Sequence, residues 1–125
     1  MFKTLKRTLT HDVQTMDHHF MCLDLSLGSA TDLQIHRLEA LGIGIDGLRF
    51  LLEGLPMSRE LVDRAVLHDM RNQLAIISTD AQFLFLSYKG TLGCEARSYL
   101  EAILNRCERI TEALERTKAP VAEMV

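Results

Sequence analysis

The 125-residue chain has a formal net charge of −3, and its composition excludes several classes of protein. Hydrophobic residues make up 47% of the chain and aromatic residues only 6%, a balance that favours aliphatic packing between helices. We expect no nucleic-acid partner, because the basic cluster from Lys3 to Arg7 is too short to neutralise a phosphate backbone. We also expect no membrane insertion, since no apolar run approaches the roughly 18 residues that span a bilayer. The cysteines lack C-x-x-C spacing, which is typical of free thiols in the cytoplasm.

The first region, residues 1–57, predicts helices that form an arm or linker. Apolar residues keep helical spacing from Leu5 to Leu27, although the alternation that begins at Met21 would suit a strand equally well. A second helical pattern follows between residues 31 and 55. Three glycines lie in its middle, each of which weakens a helix by about 1 kcal/mol relative to alanine, so we expect a helix that is broken or bent there. These glycines are Gly42, Gly44 and Gly47.

The second region, residues 58–119, predicts an antiparallel helical hairpin. The first arm starts with Ser58 as its N-cap and closes at Gly90, and the second arm runs from about Glu95 to Lys118, where Pro120 ends it. Apolar residues of the first arm alternate spacings of three and four, which is typical of a bundle seam. The seam consists of Leu67, Met70, Leu74, Ile77, Ala81, Leu84 and Tyr88.

A second apolar line on the first arm predicts that the hairpin has more than one packing neighbour. It runs through Val62, Ile76 and Phe83, so a single partner helix cannot cover both stripes. The hairpin must therefore pair with the N-terminal region or with a second copy of the chain. We expect an all-α fold in which the hairpin dimerises into a four-helix bundle, with additional N-terminal helices.

The segment from His68 to Leu74 offers the clearest chemistry in the chain. Leu67 and Met70 lie on the seam, so His68 points away from it, with Asp69 beside it and Asn72 one turn later. A phosphate-accepting histidine must expose a ring nitrogen, and a neighbouring carboxylate can orient the ring and enhance its basicity. The same residue types are also ordinary on the solvated face of a helix.

The sequence His68-Asp69-Met70-Arg71-Asn72-Gln73-Leu74 resembles the H-box of the dimerisation and histidine-phosphotransfer domain of two-component sensor kinases. In that family an H-[DE]-x-[RK]-[NT]-P-L core opens the first helix of a hairpin that dimerises. The resemblance covers residues 58–118. It implies that His68 is the phospho-accepting histidine, that Asp69 assists it, and that Asn72 acts in dephosphorylation of a partner receiver domain. It also implies a partner-binding surface at Arg71, Gln73 and Ala75.

The partners that this resemblance implies are response-regulator receiver domains, a sensor kinase, or both. The chain itself is expected to need no cofactor, whereas Mg²⁺ is expected in the partner receiver domain. Gln73 stands where the family usually has proline, so the helix should lack the kink that proline imposes. Because no ATP-binding domain follows, we expect a phosphorelay protein rather than a complete ATP-dependent kinase. The alternatives are a non-catalytic module that binds or inhibits a kinase or receiver, and a fragment of a sensor kinase.

Three weaker patterns point elsewhere. Gly42-x-Gly44-x-x-Gly47 matches the dinucleotide fingerprint in form, but no convincing strand precedes it, so helix packing is the favoured interpretation. His36 begins a segment with a faint similarity to the core of monomeric histidine-phosphotransfer bundles. His18 and Cys22 are spaced to share a helix face, yet the surrounding residues give no complete set of metal ligands, so no metal site is expected.

Overall fold

The computed structural model of the protein consists of four α-helices and describes residues 2–26, 31–56, 62–87 and 93–123. The helices are α1 (Phe2–Ser26), α2 (Asp32–Glu53), α3 (Arg64–Ser87) and α4 (Cys94–Glu123). No strand occurs within the described ranges. The all-α prediction is therefore confirmed, and so is the helical interpretation of the N-terminal residues.

The helices form a bundle in which each helix packs against two neighbours. Helix α1 lies against α2 and α4, and helix α3 also lies against α2 and α4. One continuous core of buried aliphatic side chains runs through all four helices. Helices α1 and α2, from the region expected as an arm or linker, thus cover the apolar face of the α3–α4 hairpin. A second copy of the chain is not required for that purpose.

Helix α2 is continuous from Asp32 to Glu53, so of the two alternatives predicted at the glycines, a broken or a bent helix, the break is wrong. Its start is secured by a capping box, in which the Thr31 hydroxyl accepts from the Gln34 N–H while the Gln34 side chain accepts from the Thr31 N–H. The glycines permit close approach instead. A Cβ on Gly42 would lie 2.7 Å from the Phe20 ring, and one on Gly44 would lie 3.0 Å from Ile77 Cγ1.

The bounds of the hairpin helices differ from prediction at two points. Ser58 and Gly90 lie outside the described residues, but Val62 and Asp63 are not helical and α3 begins at Arg64. Asp63 caps the N-terminus of α3, because its Oδ1 accepts a 2.9 Å hydrogen bond from the N–H of Ala65. Helix α4 continues past Pro120 to Glu123. The proline φ is compatible with a helix, and near the end its missing N–H removes only one hydrogen bond.

Two buried aspartates tie opposite pairs of helices together. Asp12 of α1 lies 2.6 Å from an Arg106 nitrogen and 3.6 Å from an Arg109 nitrogen, both on α4. Asp80 of α3 lies 3.1 Å from Arg37 of α2. A buried carboxylate without a cation would be costly, so these pairs fix which helices are neighbours. Neither aspartate stood out in the sequence, although each lies within an apolar stripe.

Candidate functional site

His68 lies on the outer surface of α3, where the three-four seam predicts it. Its side chain is exposed, whereas Leu67 and Met70 on either side of it are buried. Asp69 and Asn72 are also exposed. The prediction of a solvent-facing histidine beside two exposed polar groups is confirmed.

The other expected partner-binding residues divide between the two flanks of α3. Arg71 is turned toward α4, where its Nε lies 3.5 Å from Glu115 Oε1. Gln73 is turned toward α2, and its Nε2 donates a 3.2 Å hydrogen bond to the carbonyl oxygen of Gly44. Ala75 lies between these flanks and is exposed. The structure therefore does not bring Gln73 together with Arg71 and Ala75.

A groove of about 870 Å³ runs between α3 and α4, on the flank that Arg71 faces. Its floor is apolar, and includes Leu74, Leu104 and Cys107. The wall residues recur with a spacing of four, three and four residues on both helices, and all of them except Ala75 are polar. Those on α3 are Arg71, Ala75, Ser78 and Gln82, and those on α4 are Glu101, Asn105, Glu108 and Glu112.

The α4 wall of this groove was not identified from the sequence. Its three glutamates make it acidic, while the α3 wall contributes one arginine and neutral side chains. The signal was available, because two helices that carry polar residues at matching intervals place them in facing rows when they pack antiparallel. An open groove with an apolar floor can accept a helix from another protein.

A second, smaller groove lies on the opposite flank of α3. It has a volume of about 300 Å³ and is lined by Arg37, Ala75, Ile76, Thr79 and Asp80. Its charged groups are already engaged with each other, since Arg37 pairs with Asp80 and its guanidinium lies 4.6 Å from the centre of the Phe83 ring. The exposed row that contains His68 and Ala75 thus runs between two grooves.

Three residues near the end of α1, His18, His19 and Cys22, form a separate cluster away from His68. Cys22 Sγ lies 3.7 Å from His18 Nε2, and the His19 ring lies between His18 and Tyr99. Burial, followed by the nearby His18 and Arg106, lowers the pKa of His19. Within the described part of the chain, no three His, Cys, Asp or Glu side chains converge as metal ligands.

The remaining cysteines occupy contrasting environments. Cys94 is exposed at the start of α4, whereas Cys107 is buried in the floor of the α3–α4 groove. Burial raises the pKa of the Cys107 thiol to about 12. The thiol is therefore neutral at physiological pH and behaves as a small apolar side chain.

The two other sequence motifs resolve into parts of α2. The Gly42-x-Gly44-x-x-Gly47 segment lies in the middle of that helix, with no strand before it in the described residues, so its form is unlike a dinucleotide-binding loop. His36 is exposed on the same helix.

Among the described residues no helix has both the length and the apolar character needed to cross a membrane. Comparison of the chain with models of protein families, with curated proteins and with solved structures found no significant match.

Proposed function

We propose that this protein is a histidine phosphotransfer protein of a two-component phosphorelay, and that His68 accepts and donates the phosphoryl group. The observation that carries the proposal is the exposed His68–Asp69 pair on α3, with Asn72 one turn away and an open groove that begins at Arg71. The H-box resemblance of this segment supports the same chemistry.

The reaction that suits this geometry is transfer between His68 and the aspartyl phosphate of a receiver domain. A ring nitrogen of His68 forms a bond to phosphorus as the bond between phosphorus and the aspartate oxygen breaks, and the carboxylate of the receiver leaves. In this step Asp69 would accept a hydrogen bond from the other ring nitrogen, which would orient the imidazole and favour the charge it gains. Mg²⁺ held by the receiver would neutralise the phosphoryl oxygens.

The partner in this proposal is a receiver domain, a sensor kinase, or both, and the α3–α4 groove is the part of the surface that receives it. Arg71 and Ala75 line this groove, as the partner-binding role requires. Gln73 contributes indirectly, because its bond to Gly44 holds α3 in position against α2. A homodimer remains a prediction, and a second copy would have to use an outer face of the bundle.

The test is transfer from purified receiver domains, phosphorylated with acetyl phosphate, to the wild-type protein and three variants. His68→Gln should abolish labelling without unfolding, because the side chain is exposed. Asp69→Asn should slow transfer by about 100-fold, the usual scale of acid–base assistance. Asn72→Ala should retain labelling and alter dephosphorylation of the receiver. His36→Gln is the matched control, since it removes another exposed helical histidine.

The second candidate function is a non-catalytic module that binds or inhibits a kinase or receiver. It is favoured by the α3–α4 groove, which is lined by residues other than His68 and can bind a partner without any phosphoryl transfer. Under this alternative all three variants bind the receiver as tightly as wild type, and no label appears on the protein.

A further inference from the structure

The two most exposed large apolar side chains of helix α2 lie on one face of that helix. Phe50 is 77% exposed and Ile43 is 70% exposed. They are seven residues apart and so lie on the same side of the helix, two turns from each other. Ile76 of α3 is also exposed and borders the small groove between α2 and α3. Folding leaves these three side chains largely in water, which marks a candidate interaction surface.

One end of this apolar surface, at Phe50, lies near the level of His68 along the bundle. Helices α2 and α3 are antiparallel, and the tightest contacts across them bring Gly47 next to Gln73 and Gly44 next to Ile77. One turn further along α2 is Phe50, and one turn back along α3 from Gln73 is the His68–Asp69 pair. The same register places Ile43 beside Ile76. Phe50 therefore lies near the phosphoacceptor candidate along the bundle, and Ile43 and Ile76 lie about two helical turns further along α3, on the side away from the α3–α4 groove.

The charges around this surface are mostly negative. Glu39, Asp46 and Glu53 are exposed along α2, and Asp69 is exposed on α3. Arg49 lies 2.5 Å from Asp46 and 3.5 Å from Asp17. Because this one cation is shared between two carboxylates, it neutralises only part of the negative charge. Two copies of this acidic face would repel each other, so a second copy of the chain is disfavoured as its occupant. The complementary occupant presents an apolar strip edged with lysine or arginine.

We propose that the receiver domain that exchanges phosphate with His68 docks across α2 as well as α3, placing an apolar surface with a basic rim on Phe50, Ile43 and Ile76. This inference rests on the proposed function, and it assigns α2 a role in partner selection. Helix α2 lies outside the part of the chain that resembles sensor kinases. The partner then contacts the α3–α4 groove on one side of His68 and the α2 surface on the other.

The test uses affinity and transfer rate for a panel of purified receiver domains phosphorylated with acetyl phosphate. Phe50→Ser and Ile43→Ser should each weaken binding by about tenfold or more, the scale of a buried interface anchor. The transfer rate at saturating receiver should not change, because His68 and its neighbours are intact. Leu33→Ser is the matched control, since Leu33 is 57% exposed on the same helix. It lies at the far end, where Gln34 bonds to Ser87.

A charge-reversal variant tests the basic rim of the partner. Glu53→Lys should weaken binding and reduce its dependence on salt, whereas Glu95→Lys, at the far end of the bundle, should do neither. Variants of Phe50 and Ile43 that bind like Leu33→Ser would overturn the docking surface. A receiver that binds without labelling His68 would overturn the proposed function alone, because the affinities of the variants still report on docking. A panel from which no receiver binds would overturn both.

Discussion

The two interfaces of α3 are built differently, although the same helix supplies both. Against α2 the contact is close, because Gly44 and Gly47 lack side chains and admit Ile77 and Gln73. Against α4 the helices leave an open groove with polar walls and an apolar floor. The close interface includes a hydrogen bond from Gln73 to the backbone of α2 and the ion pair between Arg37 and the buried Asp80.

The difference indicates a division of labour between fixing α3 and exposing it. The α2 interface sets the rotation of α3, so that seam residues point inward and His68 points outward. The α4 interface leaves space beside His68 that a partner can occupy. A helix with close packing on both flanks would hold the histidine equally well but would offer no groove next to it.

The largest expected effect comes from breaking the seam shared by both interfaces. Ile77 is fully buried, and Ile77→Asp would place an unpaired carboxylate in the core at a cost of about 4 kcal/mol or more. We expect the variant to be unfolded by circular dichroism at 25 °C. Ile76→Asp is the control, since that neighbouring side chain is half exposed. A cooperative melting transition for Ile77→Asp close to that of wild type would contradict the bundle described above.

The closeness of the α2–α3 interface can be tested at its glycines. Gly44→Val should lower the free energy of unfolding by about 1–3 kcal/mol, because a Cβ at this position would lie only 3.0 Å from Ile77 Cγ1, which is closer than ordinary van der Waals contact. Gly54→Ala at the end of α2 should raise stability by about 0.4–1 kcal/mol, since its φ of −77° suits alanine and the site has room. Urea titration measures both. Equal effects would show that α2 and α3 are not in close contact.

The open interface should tolerate substitutions that the close one does not. Ala75 is exposed between the two grooves, and Ala75→Arg should change the free energy of unfolding by no more than about 0.5 kcal/mol. Under the proposed function the same change should hinder receiver docking and lower the transfer rate at limiting receiver. A variant that transfers phosphate at the wild-type rate would mean that the partner does not approach from this side.

The smallest effect concerns the floor of the open interface. The unfolded chain ionises the Cys107 thiol near pH 9.0, whereas the folded chain keeps it neutral until its raised pKa of about 12. The free energy of unfolding should therefore fall as pH rises through this interval. Cys107→Ala should reduce that slope in melting curves collected from pH 8 to pH 11. An unchanged slope would mean that solvent reaches the thiol through the groove.

The sequence predicted the seams of α3 and the outward position of His68 because a sustained three-four spacing constrains rotation. It did not predict that α2 is unbroken. The prediction considered only the intrinsic cost of glycine in a helix. The glycines also permit the close approach of Phe20, Ile77 and Gln73, and this approach depends on tertiary packing. The partners of Asp12 and Asp80 also lie on other helices, so helix periodicity alone could not identify them.

The predicted N-cap at Ser58 shows a different limit. A serine followed by a helical pattern is a good local signal, but Val62 and Asp63 are not helical and the first turn of α3 is capped by Asp63. The α3–α4 groove was missed because it depends on how far apart two helices lie, a distance that the pattern of either helix leaves open.

Mapping the label among the five histidines is the most direct test of whether His68 is the phosphoacceptor. The protein is incubated with a phosphorylated receiver that binds it, digested at alkaline pH to preserve phosphohistidine, and sequenced by mass spectrometry. We predict an acid-labile, base-stable phosphate on His68 alone, with none on His11, His18, His19 or His36. Phosphate on another histidine, or a protein that stays unlabelled while bound to its receiver, would contradict the account.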